Sequence, residues 1–217
     1  MNIKNLYCIL IVTLLLNSCD KNEDNAFQNN LFSQDFQKLK VKEGFEIISI
    51  DSIDNFAELR KEMGELTCEG KISGLKFDYE GRDYHLTGIS RCPKSGETGC
   101  YFRKNVFNIR NDSLVFGLGD KQYSKPIEYL KSELETIVAT PYKYKSNEDK
   151  LKTALIHLYI KKEQPITTTK KVLKEIVEQF AKLNTVDNPE YFEYIILFES
   201  FDISSIPPPP PPKKNEV

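Results

Sequence analysis

The sequence predicts an α+β fold, a mixed sheet with helices on one face preceded by a β-meander, and three observations carry it. Apolar residues recur at helical spacing over 124–139 and 167–184. Residues 153–161 alternate in the manner of a strand. Residues 66–117 are rich in β-branched and aromatic side chains and are cut at Glu80-Gly81 and Asn111-Asp112 by turn formers. Apolar residues are 40 % of the 217 and charged residues 29 %, the balance of a chain that buries a core.

In chain order, residues 20–30 are polar and read as a tether. Residues 31–40 suit a short helix with Leu31, Phe32, Phe36 and Leu39 on one side. Residues 45–50 form a strand. Asp51 or Ser52 then caps a helix with Ile53, Phe56, Leu59, Arg60 and Met63 on one face, and Gly64 is the expected stop. Strands over 66–79 and 84–91 flank Glu80-Gly81, and strands over 101–110 and 114–117 flank Asn111-Asp112.

Further on, Ser124 caps a helix with Pro126 in its first turn and Ile127, Leu130, Leu134, Ile137 and Val138 inward; Thr140-Pro141 ends it. A charged loop over 142–150 leads to the alternating strand, which sets Ala154, Ile156, Leu158 and Ile160 on one face. Thr167 to Thr169 open a second long helix, inward at Val172, Ile176, Val177, Phe180 and Leu183. Asn188-Pro189 breaks the chain before a last aromatic-rich strand over 191–201. The two strands flanking the second helix should run parallel and cross over right-handed. Pro207 to Pro212 form a polyproline rod of roughly 19 Å at about 3.1 Å per residue, a stiff tail that also suits a spacer or a ligand for an aromatic groove.

The first nineteen residues have a layout of their own. Lys4 is the only charge, Leu6 to Leu16 are an apolar run too short to span a membrane, and Ser18 precedes Cys19. Leu16-Asn17-Ser18-Cys19 resembles the lipobox of bacterial lipoproteins. That resemblance implies cleavage before Cys19 and a diacylglycerol thioether on its sulfur, with further acylation of the new amine; two or more acyl chains anchor a protein stably. Asn17 departs from the small residue usual at its place. The acidic run Asp20, Glu23 and Asp24 resembles the surface-export signals of Bacteroidota lipoproteins and equally suits a solvated tether. The expected location is the cell envelope, lipid-anchored to the outer membrane, periplasmic or surface-exposed.

The chain therefore divides into a signal peptide (1–18), a lipidated tether with a short helix (19–44), an α+β segment with the meander (45–118), an αβαβ segment packed with it (119–203) and a proline-rich tail (204–217). Over 104–201 the order strand, strand, helix, strand, helix, strand resembles the periplasmic domain of the biopolymer-transport and Tol family (the ExbD/TolR type). Residues 105–116 stand as its opening hairpin and 125–134 as its first helix; 154–160, 169–183 and 194–198 follow as strand, helix and strand. The resemblance implies a partner-binding or dimerising sheet edge. It carries no proton-coupling role, because that family has an N-terminal membrane helix with an acidic residue where this chain has the lipobox.

The chemistry is sparse. Lys plus Arg number 30 against 32 for Asp plus Glu, which excludes the basic excess of a nucleic-acid binder. Two histidines exclude a multi-histidine metal centre, and no cofactor motif is present. Of the cysteines left after processing, Cys92 and Cys100 close a turn-rich loop and are the favoured disulfide; Cys68–Cys92 across the preceding hairpin is the rival. Cys68, Cys92 and Cys100 lack metal-ligand spacing. His85 and His157 read as packed or surface strand residues, and Glu133/Glu135 and Glu190/Glu193 as solvated charges. Gly117-Leu118-Gly119-Asp120 lacks the rest of a phosphate loop. No catalytic residue is assigned. The function expected is a membrane-anchored, non-catalytic protein-interaction module that contacts an envelope protein, as part of a transport or envelope complex. The alternative is a surface lipoprotein binding an external ligand such as a glycan or nutrient.

Overall fold

The computed structural model describes residues 30–94, 105–117, 119–140, 149–185 and 187–205. These form an α+β structure with mixed sheets, in the predicted class, but the strands divide between two sheets rather than one. The four-stranded sheet holds β1 (Asn30–Phe32), β2 (Phe45–Ser49), β3 (Ile72–Tyr79) and β4 (Arg82–Thr87) in the order β1-β4-β3-β2. The six-stranded sheet holds β5 (Ile89–Ser90), β6 (Val106–Arg110), β7 (Ser113–Phe116), β8 (Tyr123–Pro126), β9 (Ala154–Tyr159) and β10 (Tyr194–Phe198) in the order β5-β10-β9-β6-β7-β8.

The two hairpins expected to make one meander thus sit in different sheets. Both turns are where the sequence puts them. Glu80 and Gly81 have φ of 55° and 78°, and Asn111 has φ of 56°, values that glycine and asparagine adopt at low cost. The chain changes sheet at Gly88, between β4 and β5. A Cβ there would run into the Phe198 ring and come within 3.2 Å of Met63 Cε, so the strand crosses this point because the residue has no side chain.

Among the described residues four helices complete the fold. In place of one helix over 31–40, β1 is followed by α1 (Gln34–Leu39), with the Phe36 amide donating to Ser33 Oγ at 3.2 Å. The helix α2 (Phe56–Cys68) starts later than expected. Asp51 and Ser52 belong to a 3-10 turn, and Asn55 is the cap, its Oδ1 accepting from the Glu58 amide. Gly64 does not end α2, because its role is spacing: a Cβ there would lie 2.8 Å from the Arg91 carbonyl oxygen.

Ser124 and Pro126 are not in a helix. They lie in β8, paired to β7, and Pro126 is tolerated on this outer strand. A 3-10 turn over 127–129 then leads into α3 (Leu130–Ala139). The helix α4 (Ile166–Leu183) spans the predicted second long helix and joins β9 to β10, which pair in parallel as expected. The helix packs on β1, β3 and β4 and meets β10 through Phe180, whose ring lies 4.3 Å from that of Tyr194.

One apolar cluster runs through both sheets and through α2, α3 and α4. Phe56 of α2 stacks on Phe198 of β10 with ring centroids 5.6 Å apart, and Leu59, Met63, Leu75, Ile156 and Val172 are fully buried. Each such side chain contributes about 1.5–3 kcal/mol by leaving water.

The disulfide joins Cys68 to Cys92, with Cα atoms 4.8 Å apart, and this corrects the expected Cys92–Cys100 pairing. The physical reason is the extra turn of α2 beyond Gly64. It carries Cys68 to the segment leaving β5, where Cys92 lies. Cys100 falls outside the described residues, as do Cys19, the loop over 142–148 and the proline run.

Candidate functional site

At the place where the chain changes sheet, the strands splay. The last rung joining β3 to β4 is Gly74–Thr87, so Ile72 and Ser73 have only β2 as a strand neighbour. In the other sheet β5 reaches only Leu197 and Phe198, so Tyr194, Ile195 and Ile196 have only β9. The wedge left between these strand ends is a cleft of about 480 Å³, within the usual range of about 300–1,000 Å³ for small-molecule sites. Its apolar wall consists of Leu39, Ile72, Ile89, Ile195 and Ile196, and α1 and the chain after it bring Asp35, Lys38 and Lys42 to it. Lys71 completes the set.

The charges at this cleft are mostly paired. Lys38 Nζ lies 2.5 Å from Glu190 and 3.0 Å from Glu193, and Lys150 lies 2.9 Å from Glu193. This chain of four charges ties α1 to the segment before β10. Glu193 is half withdrawn from water, which works against its charge, yet Lys150 and Lys38 hold its carboxyl below the usual range. Lys71 bridges Glu46 and Glu69, each at 2.7 Å. Lys42 has no acidic partner among the described residues. Burial pushes the Asp35 carboxyl up, and Glu193 adds to the effect. Next to Asp35, the Tyr194 hydroxyl is buried without a hydrogen-bond partner, and burial raises its pKa.

A second polar group lies on the face of the six-stranded sheet turned away from the core. His157 Nδ1 is 2.8 Å from Glu199 Oε1, and Glu199 is only 4 % exposed. Asn108 stands beside His157 in the β6–β9 pairing, its Oδ1 buried and unpartnered. Arg110 pairs with Asp202 at 3.1 Å. Among the described residues this arrangement shows an orienting carboxylate and an imidazole, and no hydroxyl or thiol hydrogen-bonded to the ring. No three His, Cys, Asp or Glu side chains among the described residues come together to hold a metal ion.

Other charged residues are placed apart. Asp83 shares a strand face with His85 but reaches Lys76 at 3.5 Å. Glu133 and Glu135 pair with Lys125 and Lys131. Lys170 and Lys171 pair with Asp51 and Glu128. Glu190 and Glu193, expected to be merely solvated, are the acids that anchor α1. Sequence reasoning missed Asp35, Lys42 and Glu199, since nothing in their local spacing separates them from ordinary surface charges.

No helix among the described residues is long and apolar enough to cross a membrane. No protein-family model, curated protein or solved structure matches the chain.

Proposed function

We propose that this protein is a lipid-anchored envelope protein, held by acylated Cys19, whose α+β body is a non-catalytic binding module with the seam cleft as its binding site. The observation that carries this reading is the cleft itself, an apolar concavity with a few charged side chains at a point where strands of two sheets diverge. The lipobox supports the anchor and the outer-membrane location. A second reading, an envelope protein partner seated along a sheet edge, is favoured by β8. It is an edge strand of the six-stranded sheet; Tyr123 within it and Tyr129 just after it are 56 % and 51 % exposed.

Photo-reactive residues placed singly at Ile89, in the cleft, and at Tyr123, on the outer strand, separate the two in intact envelopes. A specific adduct at Ile89 supports the cleft reading. An adduct at Tyr123 alone transfers the function to the sheet edge, and no adduct at either removes both. Mass spectrometry of the extracted protein tests the anchor through the acyl mass on Cys19.

A further inference from the structure

In the four-stranded sheet β2 is an outer strand, with β3 on one side and no described strand on the other. The Ile72 amide donates to the Gly44 carbonyl, and β3 pairs with β2 in parallel with Phe45 opposite Ile72. Main-chain groups alternate in direction along a strand, so Glu46 and Ile48 bond to β3 while Phe45, Ile47 and Ser49 turn theirs outward. The Phe45 amide donates to the Lys42 carbonyl, and the Ser49 carbonyl accepts from Ser52 Oγ. The Phe45 carbonyl, both main-chain groups of Ile47 and the Ser49 amide have no partner among the described residues. This edge holds no proline or lysine to guard it, and Ile47 is 56 % exposed at its centre. Beside it runs a groove of about 480 Å³ between β2 and α2, whose walls include Glu46, Glu62, Glu65, Glu69 and Lys71. The three α2 glutamates recur at helical spacing on one stripe. Lys71 bridges Glu46 and Glu69, Lys61 lies 3.9 Å from Glu65, and Lys94 acts on Glu69 through its field alone. The four carboxylates outnumber these three lysines, and Glu62 has no ion-pair partner among the described residues.

We propose that β2 takes an extended basic segment of a partner protein as an added strand, its main chain on the outward groups of Phe45, Ile47 and Ser49 and its alternate lysine or arginine side chains in the glutamate groove. Strand addition draws affinity from the main chain and selectivity from alternate side chains. Residues of the added strand on the face of Glu46 and Ile48 meet the α2 acids. Those between them lie beside Ile47, and apolar side chains there cover it. The pattern recognised is therefore an alternation of cation and apolar residue. Each exposed ion pair contributes little, so the glutamates act as a set. A second copy suits this edge less well, because pairing β2 with β2 would bring two glutamate groups together. Lys71 alone is common to this groove and the seam cleft, so the inference stands apart from the reading of the cleft.

The test uses the full chain in nanodiscs of zwitterionic lipid, titrated with fluorescent peptides at low salt. One peptide alternates lysine and valine, one alternates glutamate and valine, and a third is the lysine peptide N-methylated at alternate amides so that it cannot donate to β2. Binding is read by anisotropy, and hydrogen exchange is followed at the Ile47 and Ser49 amides. Saturable binding of the lysine peptide, with slowed exchange at both amides and loss of binding on methylation, supports the proposal. So does binding weakened about tenfold by Glu62→Lys together with Glu65→Lys, with the glutamate peptide gaining on the same variant. Both glutamates are exposed on α2, and an unchanged circular dichroism spectrum reports that the fold is kept. No binding of the lysine peptide, or binding without slowed exchange at Ile47 and Ser49, overturns strand addition at β2. Equal binding of the two charged peptides, unaffected by the double variant, overturns the preference for a basic segment. Exchange at Ile47 and Ser49 that slows with protein concentration in the absence of peptide gives the edge to a second copy and overturns the proposal.

Discussion

His85 packs face to face on Phe32, with ring centroids 4.4 Å apart, and Phe36 stands edge-on at 5.2 Å. Its Nδ1 is buried without a hydrogen-bond partner. Burial lowers the imidazole pKa; Lys76 and Lys40 act in the same direction, and Asp83 opposes them. A base whose folded pKa lies below its unfolded value binds fewer protons in the native state. The stability it allows is therefore present above the unfolded value of about 6.5 and is lost as pH falls through the lower folded value. Urea midpoints at pH 7.5 and pH 5 should fall further for the wild-type chain than for His85→Phe, which carries no titrating ring. An equal fall in both would show that His85 does not couple to folding. The sequence places His85 on a strand and reads it as packed or surface-exposed; the structure packs it between Phe32 and Phe36. The stacking partner was not legible, because Phe32 lies in a strand of only three residues that pairs with β4 from more than fifty positions away.

At the scale of the element, α2 shows how far local signals reach. Its buried stripe of Phe56, Leu59 and Met63 follows from spacing alone, since helical periodicity is a property of neighbours. Its ends do not. Asn55 takes the cap over Asp51 and Ser52 because those two are drawn into a 3-10 turn, where Asp51 accepts from the Asp78 amide and pairs with Lys170. Gly64 reads as a stop when the carbonyl of Arg91 is out of view. The disulfide follows from the same extension, linking the end of α2 to the chain leaving β5 across 24 positions. Replacing Cys68 and Cys92 together by Ser should lower stability by about 3 kcal/mol in the chain-entropy model, measured by urea unfolding. A single Cys100→Ser change should leave the midpoint where it is, and a loss there comparable to the double variant would contradict the pairing.

For the whole molecule, the two sheets share one apolar cluster, and Phe56 of α2 stacks on Phe198 of the six-stranded sheet while α4 packs on the four-stranded one. Neither sheet keeps its inner face covered without the other. Far-ultraviolet circular dichroism and tyrosine fluorescence should therefore report one coincident urea transition. Two resolved transitions would mean that the sheets hold together separately. The cleft belongs to this scale as well, for its walls come from α1, the end of α2, β3, β5 and β10. Ile195 and Ile196 look like any strand residues in sequence. They line a cleft because β5 is two residues long and stops short of them.

The sequence by itself determined the α+β class, the two turns at Glu80-Gly81 and Asn111-Asp112, the long helix over Ile166–Leu183 and the parallel pair beside it. Each of these rests on side-chain period or on backbone preference within a few residues, so local composition suffices. The tertiary structure decided the division into two sheets at Gly88, the partner of Cys92, and the caging of Lys38 by Glu190 and Glu193. These depend on which distant segments come together, and contact between distant segments is set by how the whole core packs.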